Sequence, residues 1–182
     1  MLEVNFNPFP ELQTERLSLR RTCADDVNNL FELRSNEEVM KYIETGKALT
    51  TNDAIVHLEK IEDGLNSNSG ISWAITLHNT PSQLIGVIGL WRLIKEHYRA
   101  EIGYTLLPQY WRKGIMAEAI KAVMEYGFSD MKLHSIEAQI NPENIASAKL
   151  LESAGFIKEA HFKENFFAEG KFSDTIVYSK LL

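Results

Sequence analysis

The chain has a single cysteine, Cys23, among its 182 residues. An internal disulfide is therefore impossible, and no Cys-x-x-Cys pair offers thiolates to zinc. A reducing compartment, no metal site, and a small packed Cys23 are the expectations. Long apolar runs are also missing. No stretch approaches the ~20 apolar residues of a membrane helix. Residues 1–15, MLEVNFNPFPELQTE, show neither the basic nor the apolar segment of a secretion signal, so a cytoplasmic location without a membrane partner is expected. Pro (5) and Gly (10) are too scattered to mark a linker, and one domain over residues 1–182 is expected. Lysine and arginine form no cluster, and the net charge of −6 argues against nucleic acid as a partner. No Gly-x4-Gly-Lys-[Ser/Thr] run occurs, which removes the P-loop kinases.

What is present is an ordinary globular composition, 45% hydrophobic and 24% charged, long enough to bury roughly 70% of the unfolded surface. Period-two alternation over residues 16–21 predicts a strand with Leu17 and Leu19 inward. Asp25 or Asp26 then caps a helix carrying Val27, Leu30, Phe31 and Leu33. Thr51 or Asn52 caps another, with Ile55, Leu58, Ile61 and Leu65 as its apolar stripe beside Glu62. Strands are predicted over residues 71–77, 84–91 and 100–106, antiparallel in succession, with a turn at residues 79–82. Ile115, Ala119, Ile120, Val123, Met124 and Phe128 recur at helical spacing over about 15 residues. A short strand at 135–140 follows, then a helix over 144–154 with Gly155 at its C-terminus. Two last strands, near 155–166 and 172–181, flank the hairpin turn 168–171.

The segment 101–156 is the most informative. Its turn, Gln109-Tyr110-Trp111-Arg112-Lys113-Gly114-Ile115-Met116, lies where a strand gives way to a helix. Backbone N–H groups at such a junction can hold a phosphate-bearing ligand. The strands 100–106 and 135–140 are joined through a helix and so should be parallel within an otherwise antiparallel sheet. Strands beside such a change of direction can splay, and the freed backbone forms a ligand cleft.

These residues resemble the GCN-five-related N-acetyltransferase (GNAT) superfamily, and within it the ribosomal-protein N-terminal acetyltransferase (RimJ/RimL-like) branch. The resemblance spans residues 13–181 and rests on four passages in order: Thr14-Glu15-Arg16-Leu17-Ser18-Leu19-Arg20, Ala100-Glu101-Ile102-Gly103-Tyr104, Tyr110 through Ala119, and Asn141-Pro142-Glu143-Asn144-Ile145-Ala146-Ser147 through Gly155-Phe156. It implies an α+β fold: a twisted, mostly antiparallel sheet with one parallel βα crossover, splayed central strands and about four helices. It also implies acetyl-CoA as cosubstrate and an amine acceptor, attacked directly in a ternary complex.

By the same resemblance, the cofactor is held by Thr105, Leu106, Trp111, Arg112, Lys113, Gly114, Ile115, Met116, Ala117, Asn144 and Ser147. Met116 is bulkier than the small residue of the superfamily pattern. Gly114 leaves room for a pyrophosphate or simply permits the turn. Arg112 and Lys113 either touch phosphate or are solvated charges, and Asn144 caps its helix or contacts the pantetheine arm. An oxyanion donor is expected from a backbone N–H near Thr105 or Leu106. Glu101, directly or through water, is the candidate base, or a charge-paired residue. The tyrosine that many members use as general acid is replaced by Leu151, leaving Ser147 and Tyr104. His97 and His134 read as surface residues. An α-amino group, with a pKa of ~7.7–8.0, is easier to deprotonate than a lysine amine at ~10.4. A peptide N-terminus is therefore favoured over a small amine such as a polyamine, an antibiotic or an amino acid; a non-catalytic CoA-binding module is the reading of another class. Phe162, Phe166, Phe167 and Phe172 read as core packing, with an acceptor pocket or a homo-oligomer contact as alternatives.

Overall fold

The computed structural model describes residues 1–182 except Glu44 and Glu169. A two-residue strand β1 (Leu12–Gln13) precedes the strand predicted to open the sheet, β2 (Leu17–Arg20), in which Leu17 and Leu19 are fully buried. A short 3-10 turn (Ala24–Asp26) leads into helix α1 (Val27–Ser35). The expected cap is replaced by an ion pair: the Asp26 carboxylate accepts from the Cys23 N–H and from both terminal nitrogens of Arg20. Cys23 itself is exposed, against expectation: it stands at the start of the turn, where both its N–H and its thiol lie against Asp26 and not in either core. A short helix α2 (Glu37–Met40), capped by Asn36, was not foreseen. It raises the number of α-helices from about four to five among the described residues.

Helix α3 (Thr51–Asn66) starts one residue earlier than expected, with Thr50 at its cap and Asp53 accepting from the Thr50 N–H. Its stripe is narrower than the sequence suggests. Ala54 and Leu65 are buried, Leu58 and Ile61 half-buried, and Ile55 faces water.

Strand β3 (Ile71–Leu77) matches its predicted span, and β4 (Gly86–Ile94) is shifted toward the C-terminus because Leu84 and Ile85 lead into it as buried loop residues. Strand β5 (Arg99–Leu106), helix α4 (Ile115–Ser129), strand β6 (Ser135–Ile140) and helix α5 (Ile145–Ser153) follow close to expectation. Gly155 has φ +84°, the left-handed value that lets the chain leave α5. Strands β7 (Ile157–Ala168) and β8 (Lys171–Leu181) form the terminal hairpin, whose predicted turn residue Glu169 lies outside the described residues.

One sheet results, in the order β1-β2-β3-β4-β5-β6-β8-β7, antiparallel throughout except for β5 with β6. A core on one face joins Leu17, Trp73, Ile88 and Ile102 to Ile115, Ile120 and Val123 of α4 and to Leu151 of α5. A smaller core on the other face joins Ala74 and Val87 to Leu30 and Leu33 of α1 and Ala54 of α3. Each fully buried aliphatic side chain contributes roughly 1.5–3 kcal/mol. The four phenylalanines do not belong to either core. Phe162, Phe167 and Phe172 are exposed and Phe166 is half-buried, because they lie on the part of the terminal hairpin past Ile176, where β8 no longer pairs with β6 and only β7 and β8 pair with each other.

The position of the site follows from register. Strand β5 stays paired with β4 as far as Leu106, whereas its ladder to β6 comprises only Arg99, Ala100 and Glu101 against Ser135, Ile136 and Glu137. All of β6 pairs with β8. The two central strands therefore part beyond Glu101, as expected for a splayed sheet. On the α1/α3 face, the Trp91 indole lies across Gly103, where a Cβ would collide with its Cζ2 and Cη2 atoms. Gly103→Ala is expected to displace the indole at a cost of about 1–3 kcal/mol. An earlier denaturation midpoint with red-shifted tryptophan emission checks this, and unchanged values for both would contradict it.

Candidate active site

The loop before α4 has its backbone donors unspent. Among the described residues, the N–H groups from Arg112 to Ala117 meet no acceptor within the protein, while the Glu118 N–H returns to the Gly114 carbonyl at 3.1 Å. Arg112 (φ +59°) and Gly114 (φ +73°) both adopt left-handed backbone, a conformation that turns successive N–H groups toward one concave side. A cradle of donors at a helix N-terminus fits an anion such as a pyrophosphate. Within the chain, a Cβ on Gly114 would approach only Nη2 of Arg16, at 3.3 Å. The glycine is therefore demanded by φ, and steric room matters only toward a ligand. Met116, the bulky departure, points into the core and leaves the concave side clear. Arg112 is exposed, and the Lys113 ammonium lies 5.8 Å from the centre of the Tyr110 ring. Trp111 donates its indole N–H to the Leu106 carbonyl at 2.7 Å, tying the loop to the end of β5.

A clamp that the sequence reading missed holds the loop from behind. One Glu118 carboxylate accepts from Thr14 Oγ1 at 2.6 Å, from the Arg16 N–H at 2.9 Å and from Arg16 Nε at 2.7 Å. Arg16 Nη1 donates to the Lys113 carbonyl at 2.9 Å. Burial pushes the Glu118 carboxyl upward, but the bonds from Thr14 and Arg16 outweigh it and hold it below its ordinary value.

Parity along β5 decides which backbone groups face the gap. Leu107 N–H bonds to the Ile85 carbonyl, so by antiparallel alternation Thr105 and Gly103 turn their N–H and C=O groups toward β4. Tyr104 and Leu106 turn theirs the other way, toward the space that β6 has left. Of the two expected donors, Thr105 is therefore spent and Leu106 is open.

Three side-chain groups line the cleft around this gap, whose volume is about 800 Å³. Glu101 is only 7% exposed and is paired with Arg92 Nη1 at 2.7 Å. Burial raises its pKa above the usual carboxylate value, with the Arg92 charge pulling the other way. Arg92 reaches it from a bulge in β4, at φ +48°. The Tyr104 hydroxyl lies 2.8 Å from Ser147 Oγ at the first turn of α5, and burial pushes the phenol up to about 12. Asn144 caps α5 by accepting the Ser147 N–H, and its amide also lines the cleft. Leu151 is buried in the core and reaches no part of the cleft lining. His97 and His134 are exposed, as expected. The cleft's other wall, from α1 and α3, brings in Arg34, His57 and Lys60, which carry no motif and were not singled out from sequence.

A model of the acetyltransferase (GNAT) domain matches residues 16–157. An uncharacterized N-acetyltransferase of Bacillus subtilis, YoaA, is 37% identical over 94% of this chain and 96% of its own length. The spermidine N(1)-acetyltransferase of Vibrio cholerae is 25% identical over 92% and 96%. Among solved structures, a GNAT-family acetyltransferase from Bacillus anthracis superposes with a TM-score of 0.84 at 31% identity, covering 94% of this chain and 98% of that one. RimL, a ribosomal L7/L12 α-N-protein acetyltransferase in complex with coenzyme A, shares the fold at a TM-score of 0.83 and 16% identity, over 95% and 98%.

The clamp behind the loop is testable on its own. Glu118→Gln is expected to cost about 1–2 kcal/mol, the low side of the range for charge-assisted bonds because Arg16 is partly in water, and to speed amide exchange over residues 112–117. The lowered carboxyl pKa makes this contribution present above the ordinary carboxylate value and lost as pH falls below it. Wild-type and variant stabilities should therefore converge in acid; a constant difference down to pH 3 would assign the loss to packing instead.

Proposed function

The chain belongs to the GNAT acetyltransferase family, and on that premise we propose that it acetylates the α-amino group of a peptide or similar modestly basic amine by direct attack in a ternary complex. Acetyl-CoA supplies a thioester whose carbonyl carbon accepts the amine and whose thiolate departs. One observation carries the reading. The gap beyond Glu101 is lined by a carboxylate and a hydroxyl pair, and the donor loop is tied to the end of β5, which borders that gap, through Trp111 and the Leu106 carbonyl.

The N–H groups of residues 112–117 hold the pyrophosphate, with Trp111 fixing the loop against β5. Arg112 and Lys113 add charge at its rim. Asn144 offers its amide to the pantetheine arm while capping α5. The Leu106 N–H stabilises the developing oxyanion, a contribution of about 3–4 kcal/mol in well-formed oxyanion holes. Glu101, directly or through water, takes the proton of the amine, and its raised pKa makes it a better base than an exposed carboxylate. The Ser147–Tyr104 pair keeps one hydroxyl proton free for the leaving sulfur. A lysine-like amine at ~10.4 costs about 4.6 kcal/mol to deprotonate at pH 7, and an α-amine much less. A site with only a carboxylate base suits the latter.

Thiol release from acetyl-CoA with a panel of peptides and small amines tests the reading. Acceptor-dependent release is expected. CoA binding without release for any acceptor would identify a non-catalytic CoA-binding module. Gly114→Glu should abolish CoA binding in calorimetry while the protein stays folded by circular dichroism, and retained affinity would sink the assignment of the loop. Glu101→Gln should lower kcat and remove the acidic limb of the pH profile. Because Arg92 holds the Glu101 pKa down, Arg92→Ala should move that limb to higher pH. A limb that stays put in both variants would exclude Glu101 as the base.

A further inference from the structure

Resting on the acetyltransferase reading, we propose that the acceptor half of the cleft holds an anion subsite built around Arg34, with Lys60 beside it, which takes a carboxylate carried by the acceptor amine. The charge pairing of the arginines points to it. Arg16, Arg20, Arg21, Arg92 and Arg99 each pair with a carboxylate, respectively Glu118, Asp26, Glu62, Glu101 and Glu137. Among the described residues only Arg34 and Arg112 do not. Arg112 belongs to the loop before α4; Arg34 lines the cleft.

Arg34 is half-buried at the end of α1, and its single Nη2 makes the contacts seen, to Thr45 Oγ1 at 3.2 Å and to the Gly46 carbonyl at 3.3 Å. Among the described residues the rest of its donor fork meets no acceptor, and the residue lines the cleft in a setting where burial lowers its pKa and so disfavours an uncompensated charge. A carboxylate from outside would satisfy that fork in bidentate fashion. His57 lines the same cleft as Arg34 and Lys60 and feels both charges. Burial first, then those two positive charges, depress its pKa to about 4, so it is neutral and leaves the wall's charge to its neighbours.

Among the described residues lining the cleft, Glu101 is the carboxylate, and Arg92 already neutralises it. Among the described lining residues the excess charge is thus positive, in a chain whose net charge is −6. A polyamine bearing several cations meets repulsion on this wall, whereas an amine with a nearby carboxylate finds a partner. That chemistry is shared by a free amino acid and by a peptide with an acidic residue at its N-terminus.

Binding of acetylated products to the CoA complex, measured by calorimetry, tests the subsite without requiring turnover. The matched pairs are N-acetylglycine with N-acetylglycinamide, and acetyl-Glu-Ala-Ala-amide with acetyl-Gln-Ala-Ala-amide. A preference of about 10- to 100-fold for the carboxylate member of one pair is expected, reduced to near unity in Arg34→Gln. Preference within the first pair identifies a free amino acid as the acceptor; preference within the second identifies an acidic peptide. Equal binding within both pairs, tighter binding of N-acetylspermidine, or a preference that survives Arg34→Gln overturns the subsite. Carboxylate-selective binding without acetyl transfer would count against the enzymatic reading and leave the subsite standing.

Discussion

The structure turns on a parallel ladder that is only three residues long. Strand β6 is drawn to β8 over its whole length, and β5 is held by β4 to its end, so the two can share hydrogen bonds only where their paths still coincide, at residues 99–101 and 135–137. Backbone N–H groups are costly to leave without partners. Here the groups on the free side of β5 are partly re-used: Trp111 donates to the Leu106 carbonyl, and the Leu106 N–H is left facing away from β4. The candidate groups are placed by this divergence. Glu101 stands at the last paired residue, Tyr104 and Leu106 beyond it, and α5 brings Ser147 across from the other side.

A second constraint is electrostatic. Carboxylates are set against arginines at the points where elements from distant parts of the chain must be fixed together. Arg16 and Glu118 join the first strand region to the start of α4, Arg20 and Asp26 brace the entry to α1, and Arg99 with Glu137 crosses the short parallel ladder. The exposed members of these pairs gain little from Coulomb attraction alone. Their value is geometric, since a bidentate arginine fixes orientation as well as distance. Against this pattern an arginine without a carboxylate stands out, and the two examples among the described residues are the ones the proposed reading assigns to anions.

Much of this was legible in the sequence because it is local. The period of Leu17 and Leu19, the helical stripe from Ile115 to Phe128, and the Gly114 turn depend on residues within one or two turns of each other, and they appear where predicted. What was not legible depends on parity, pairing or exposure over long range. Whether Thr105 or Leu106 is the open donor is set by the register of β5 on β4, which no local pattern encodes. Thr14, Arg16 and Glu118 were visible as parts of two separate motifs, but their contact spans about a hundred residues of chain. The exposed phenylalanines were misread because hydrophobicity alone cannot tell a covered strand from the part of a hairpin that runs on past its sheet, as β7 and β8 do. Arg34, His57 and Lys60 lie on helices whose polar faces look solvated in sequence and become a cleft wall only when α1 and α3 pack beside the sheet.

The leucine at the usual tyrosine position also has a physical sense. Leu151 is sealed in the core, so its side chain serves packing, and in the proposed reaction the hydroxyl comes from elsewhere. Tyr104 on β5 and Ser147 on α5 meet from opposite sides of the gap. In the proposed reaction the phenol, pushed up to about 12, is a poor proton donor to a thiolate whose parent thiol resembles Cys at ~8.5. Full transfer would be uphill by more than about three pKa units, or over ~4 kcal/mol. Hydrogen bonding to the developing charge requires no such transfer. It also works better in a buried site, where the same burial that raises the phenol pKa strengthens the dipole's hold on a nearby anion. The departing thiolate is weakly basic enough for that to suffice, and the fold can forgo a dedicated acid because its leaving group does not demand one.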